Sequence, residues 1–257
     1  MIRRAALLLT GVALLGGCGG GRSAHDVLSQ TAARLGTIRS GTLDVRLVVT
    51  PRGHAGKGRI GFTLRGPFRV RRGSLPVLHM TYTQLAGTKS ATATLVSDGH
   101  TAYAESGGRR VALSAAQLAE LRGATQQLQS SSGLVRLPIE DWIKDPKVSD
   151  GGDVGGAETD RVSADLDVVN AANGLLDLAR AFGSYTPRLS GKSADQLRDA
   201  VERSSFDLWT GKKDRLLRRL RIAAALGFDV PQQLRGALGA LVGARFDFEL
   251  GVANPKT

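Results

Sequence analysis

Apolar and polar positions alternate with two different periods along this chain, and each change of period marks a new element. His25 to Leu35 repeats at helical spacing, with Val27, Leu28, Thr31 and Leu35 on one stripe and Ser23 placed to cap it. From Thr42 the period drops to two. Leu43, Val45, Leu47 and Val49 fall on one face, with Asp44 and Arg46 on the other. Successive strand side chains point to opposite faces, so this run predicts a strand with one apolar and one wet face. After a turn-rich break at Gly53 to Gly58, Ile60, Phe62 and Leu64 alternate with Arg59, Thr63 and Arg65. Phe68 to Val70, Val77 to Leu85, Ala91 to Val96 and Thr101 to Glu105 predict further short strands. Gly66-Pro67, Asp98-Gly99 and Gly107-Gly108 predict the turns between them.

Ser114 to Gln129 returns to helical spacing, with Leu118, Leu121 and Leu128 inward and Ser114 as cap. An irregular stretch follows, holding Asp141-Trp142-Ile143 and Asp145-Pro146, then a loop from Gly151 to Gly156. Thr159 to Val168 predicts a strand, with Val162, Ala164, Leu166 and Val168 on one face. Val169 to Phe182 is helical, with Leu175, Leu176, Ala179 and Phe182 as its stripe, and Ser193 to Ser204 predicts another helix. Ser205 to Thr210 and Arg215 to Ala225 predict a hairpin about Gly211 to Asp214. The last strand carries Phe246, Phe248, Leu250 and Val252 on one face. Strands with one apolar face need a cover, and each helix offers one stripe. The simplest assembly is an α+β fold, a curved antiparallel sheet with helices covering its apolar face.

The amino terminus stands apart. Arg3 and Arg4 precede an apolar run from Ala5 to Leu15, and Leu15-Gly16-Gly17-Cys18 follows. A charged start, a short apolar stretch and a small-residue site predict a secretory signal peptide over residues 1–17. The run is shorter than the roughly 20 residues a spanning helix needs. The segment Leu15 to Cys18 resembles a lipobox, in which a lipid is attached to the Cys thiol. Cys18 is the one Cys in the chain, so it has no intramolecular disulfide partner. Residues 18–24 then read as a lipidated tether, and 25–257 as a single domain.

Composition narrows the chemistry. The formal net charge is +12, and aromatics make up 5% of the chain. The arginines are scattered from Arg34 to Arg245 with few aromatics beside them, which argues against a nucleic-acid surface. Gly191-Lys192-Ser193 has the tail of a phosphate-binding loop, but Thr186 stands where its first Gly belongs. His25, His54, His79 and His100 lack ligand spacing. Asp150, Asp153, Glu158 and Asp160 form a Gly-rich acidic loop without calcium-loop spacing, and fit a solvated loop better. No Gly-x-Ser-x-Gly elbow occurs. Trp142 and Trp209 read as packed structural residues. The expectation is a non-enzyme without cofactor or metal.

Three segments carry a resemblance. They are the lipobox followed by a helix and Ser40-Gly-Thr-Leu-Asp-Val45; Gly156 to Val168; and the hairpin Phe206-Asp-Leu-Trp-Thr-Gly-Lys-Lys-Asp-Arg-Leu-Leu-Arg-Arg-Leu220. The chain resembles the LppX/LprG family of actinobacterial lipoproteins, and its hairpin is similar to a pattern in LolA-type carriers and RseB-type sensors. The resemblance implies a half-barrel sheet around helices with an apolar cavity for acylated lipid or glycolipid. It also implies a monomer on the extracytoplasmic side of the membrane, held through Cys18, with the envelope export machinery as partner. The facing apolar stripes offer Val45, Leu47, Ile60, Phe62, Leu118, Leu121, Leu175 and Phe182 as cavity-lining candidates. The alternative on the same fold is a protein-binding sensor or chaperone without lipid cargo.

Overall fold

A computed structural model describes residues 23–53, 58–71, 74–130, 139–181, 187–227 and 241–257. The chain opens with α1 (Ala24–Leu35). Six strands follow: β1 (Ser40–Gly53), β2 (Arg59–Arg69), β3 (Val77–Gly87), β4 (Lys89–Asp98), β5 (Ala102–Ser106) and β6 (Arg109–Ala112). Then come α2 (Ala115–Ser130), a short 3-10 helix (Ile139–Trp142), β7 (Ile143–Asp153), β8 (Glu158–Leu166), α3 (Val168–Ala181) and α4 (Lys192–Ala200). The chain closes with β9 (Val201–Gly211), β10 (Leu217–Gly227) and β11 (Leu241–Lys256). All eleven strands form one antiparallel sheet in the order β6-β5-β4-β3-β2-β1-β11-β10-β9-β8-β7, not closed into a barrel. Two meanders therefore meet at the central β1–β11 pair. The expected α+β class and open antiparallel sheet are observed.

Register explains why one face is apolar from edge to centre. Val162 pairs with Leu208, Leu208 with Leu220, Leu220 with Leu250, Leu250 with Val45, and Val45 with Leu64. The next row runs Ala164, Phe206, Ile222, Phe248, Leu47 and Phe62. Each strand contributes its alternate apolar positions to the same side. Over β8 to β10 that side is roofed by α1 and the 3-10 helix. Val27, Leu28, Ile139 and Trp142 pack with Phe206, Leu208, Leu220 and Ile222 in one buried cluster. Burying each large aliphatic or aromatic side chain there stabilises the fold by about 1.5–3 kcal/mol. The Thr31 hydroxyl on α1 donates to the Val27 carbonyl (2.7 Å) and lies within hydrogen-bond distance of the Thr210 hydroxyl (3.0 Å), so the roof meets the sheet with its buried polar atoms paired. Every strand pairing and every member of this cluster lies at residue 24 or beyond, so residues 23–257 carry the whole described fold.

Several expectations are corrected. Gly66-Pro67 is not a turn: β2 runs through it. Gly66 lies at φ 153°, and a Cβ there would stand 1.9 Å from the His79 carbonyl oxygen, so the strands approach too closely for a side chain. The irregular stretch after Trp142 is instead the edge strand β7, which runs on to Asp153, so the loop expected from Gly151 to Gly156 is shortened at its start and connects β7 to β8. Its Pro146 and charged residues hide a strand pattern, and an edge position tolerates both. The four-residue β6 was not expected. The helix expected over Ser193 to Ser204 ends at Ala200, and the chain extends into β9 from Val201. Ser23 sits at the α1 N-cap without a side-chain cap bond, whereas Ser114 makes a reciprocal one with Gln117.

Candidate functional site

Among the described residues the roof of helices stops partway across the apolar face. Beyond the packed cluster the rows continue over β11, β1, β2 and β3 with half-buried or exposed side chains. Val45, Leu47, Val49, Phe62 and Leu64 are half-buried, and so are Phe246, Phe248 and Leu250. Ile60 and Tyr82 are 57% and 40% exposed. Their placement follows from pairing: Val49 lies opposite Ile60, Leu47 opposite Phe62, and Leu64 opposite Tyr82. The Phe62 and Tyr82 rings stack with centroids 5.8 Å apart. On β3 and β4 the rows fall off to Ala86, Ala91 and Ala93, with Gln84 among them. Over β1 to β4 this side carries one ionised residue, Lys89 opposite Ala86 at the β4 end, and its other polar groups are few, such as Tyr82 and Gln84. The arrangement is an apolar trough continuous with the core at one end and tapering to small residues at the other.

Four of the eight proposed lining residues, Val45, Leu47, Ile60 and Phe62, meet as neighbours on this trough. Leu118 and Leu121 are half-buried on α2 and do not belong to the packed cluster. Leu175 lies on α3, with its side chain outside the described residues, and Phe182 lies outside them altogether, as does Cys18. The candidate set omitted Val49, Leu64, Tyr82, Phe246 and Phe248, although alternation puts all but Tyr82 on apolar strand faces. The register that seats them beside the other four is visible only once the hairpins are paired.

A second concavity, about 470 Å³ in volume, opens between the 3-10 helix and α3. Its lining is polar. Lys144 pairs with Asp167 (3.3 Å) and Arg188 with Asp177, while Asn173 holds the backbone of Leu189 at 2.7 and 3.1 Å. Burial pushes the Asp167 carboxyl up, but the Asn170 N–H and the Lys144 ammonium pull it further down, so it stays below the usual carboxylate range. None of the eight candidate residues lines this concavity, and its charges do not suit an acyl chain.

The acidic loop expected to be solvated is partly a buried structure. Asp160 is 6% exposed and accepts from Arg215 at 2.6 Å, while Asp150 meets Lys212 at 3.3 Å. Trp142 is buried as expected, with its indole N–H unpartnered. Trp209 departs from expectation: it is half-buried on the sheet face away from the helices, between the guanidinium groups of Arg161 (5.3 Å) and Arg219 (5.6 Å). Among the described residues no group of three or more His, Cys, Asp or Glu could hold a metal ion. No described helix is long and apolar enough to cross a membrane.

No family model and no curated protein sequence matches the chain. Among solved structures it is similar to LprF from Mycobacterium bovis, an LppX/LprG-type lipoprotein of the kind the sequence resembles. The identity is 16% and the TM-score 0.44, over 91% of this chain and 94% of that one. It is also similar to MucB in complex with the periplasmic part of MucA (15%, TM-score 0.30, 91% of this chain and 57% of that one). A third is a LolA superfamily protein from Nitrosomonas europaea (8%, TM-score 0.22, 92% and 94%). At these values the three likenesses do not decide what this chain binds.

Proposed function

We propose that this is an envelope lipoprotein that holds the acyl part of a lipid or glycolipid against the unroofed half of its sheet, for carriage or transfer. One observation carries this reading: the same apolar rows that form the core continue past the helices into a trough where Ile60 and Tyr82 remain exposed. Soluble proteins seldom leave such a contiguous apolar surface without a use for it. An acyl chain needs no more than area, at about 0.8 kcal/mol for each CH₂ buried. The largely apolar lining supports the choice, since its ionised group, Lys89, stands at the β4 end and not beneath the Leu47 and Phe62 rows. Cys18 supplies the anchor in this reading, and the leader before it supplies the export route.

The test is native mass spectrometry of residues 23–257 purified from an actinobacterial host. A discrete added mass, released by organic solvent as lipid, is the expected result. A protein at its bare mass, still empty after incubation with host lipid extract, would overturn the cargo reading and leave a protein-binding role in its place.

A further inference from the structure

The sheet face away from the helices carries a different pattern. Across β9, β10, β11, β1 and β2, one row reads Asp207, Arg221, Glu249, Arg46 and Thr63. Four residues along the strands, another row reads Arg203, Ala225, Arg245 and Thr50, with Arg59 on the same face of β2. The acidic residues of this region are taken: Asp207 by Arg161 (2.7 Å), Glu249 by Arg219 (3.3 Å), Asp44 by Arg65 (2.6 Å) and Asp247 by Arg245 (2.9 Å). Arg46, Arg59, Arg203 and Arg221 are exposed and have no ion-pair partner among the described residues. Five adjacent strands span about 20 Å, so four uncompensated guanidinium groups crowd one small surface. Trp209, flanked by Arg161 and Arg219, lies on the same face. Other acidic residues lie at the β7 edge and beside α3, among them Glu140, Asp141, Asp145, Asp167 and Asp177, while Asp165 on β8 shares the face of Arg161.

We propose that this bare face docks on an anionic lipid bilayer through Arg46, Arg59, Arg203 and Arg221. Charge complementarity selects the surface. The lack of a large exposed apolar centre selects a bilayer over a protein: between the arginines stand Ala223, Ala225, Thr50, Gly61, the ion-paired Asp247 and Val48, which is 2% exposed, and protein interfaces need a desolvated anchor pocket. A fluid array of anionic headgroups needs only charge at the right density. A Trp beside basic residues suits the headgroup level. The proposal rests on the envelope location read above, and not on lipid cargo in the trough.

The experiment is vesicle flotation of residues 23–257, which lack the anchor, in about 0.1 M salt, where the Debye length is about 10 Å. Vesicles of phosphatidylcholine with phosphatidylglycerol are compared with phosphatidylcholine alone. The expected result is binding to the anionic vesicles only. The R46Q/R59Q/R203Q/R221Q variant should bind on the order of a thousandfold more weakly. Its Tm should hold, because none of the four makes an ion pair. A control, R34Q/R109Q/R122Q/K192Q, removes the same charge at exposed positions outside this patch and should bind like the parent. Equal loss in both variants, equal binding to neutral vesicles, or no vesicle binding with retention on an acidic polypeptide would each overturn the proposal. Native mass spectra of the four-Arg variant keep the readings apart, since cargo in the trough should survive these changes.

Discussion

Gly174 sits inside α3, where replacing glycine with alanine ordinarily stabilises a helix by up to about 1 kcal/mol. Here the sign reverses. A Cβ on Gly174 would stand 2.5 Å from Nε1 and Cζ2 of Trp142, a ring 1% exposed in the core. The indole cannot swing outward without leaving its packing against α1 and β8 to β10. Gly174→Ala should therefore cost about 1–3 kcal/mol by overpacking, read as a lower urea midpoint with an unchanged m-value. Asp98 shows a different single-residue device. At the β4–β5 turn its carboxylate accepts from the backbone N–H of Thr101 and of His100, both at 2.8 Å, and from the Thr101 hydroxyl. Those donors, Thr101 first, lower its pKa to about 2. A lowered carboxylate pKa contributes stability above the unfolded value and loses it as pH falls through the folded one. The Tm of Asp98→Ala should lie below that of the parent at neutral pH, and the gap should close between about pH 4 and pH 2. A gap constant with pH would mean the turn bonds do not depend on ionisation.

At the scale of elements, the β9–β10 hairpin holds the sheet to α1 and to β8. Arg215 at its turn reaches back to Asp160, both side chains 15% exposed or less, and Asp214 accepts from Arg218 at 2.6 Å and from the Leu216 N–H at 3.0 Å. Asp160→Asn would leave the Arg215 guanidinium buried without its counter-charge, at a cost of about 3–5 kcal/mol. Native-state hydrogen exchange should show the loss first in β8, β9 and β10, because the pair ties those strands. This hairpin was legible in the sequence because alternation, a polar turn and a second alternating run stand in order. The acidic residue that anchors it was not, because Asp160 looks like the tail of a solvated loop until β8 is paired with β9. The strand β7 was illegible for a similar reason. An edge strand must discourage further pairing, so its Pro146, bulges and charges remove the alternation by which strands are read. The α2 stripe shows the converse. Leu118 and Leu121 were correctly placed on a helix, yet a stripe tells which side is apolar and not what lies against it.

For the whole molecule, the question is how one apolar face can be both core and binding surface. Half of the face is closed by α1 and the 3-10 helix and gives the fold its stability. The other half has no roof among the described residues, and its apolar residues contribute less to stability because they stay partly in contact with water. That division predicts a clean separation of phenotypes. Leu208→Ala, at 1% exposure under α1, should cost about 2–5 kcal/mol. Lipid retention should fall only as far as the unfolded fraction rises. Ile60→Glu, at a side chain 57% exposed, should change stability by no more than about 0.5 kcal/mol. In the folded apo protein the new carboxylate stays solvated. A bound acyl chain would strip water from it, and the cation in its row, Lys89, lies two strands away on β4, so cargo should be lost while the melting curve holds. Paired measurements of Tm and of lipid retained by native mass spectrometry check both variants together. If Ile60→Glu kept its lipid at an unchanged Tm, the cargo would have to lie elsewhere than against the β1–β2 rows. If it lost both, Ile60 would belong to the stabilising core, and the boundary between roofed and open halves would have to move towards β3.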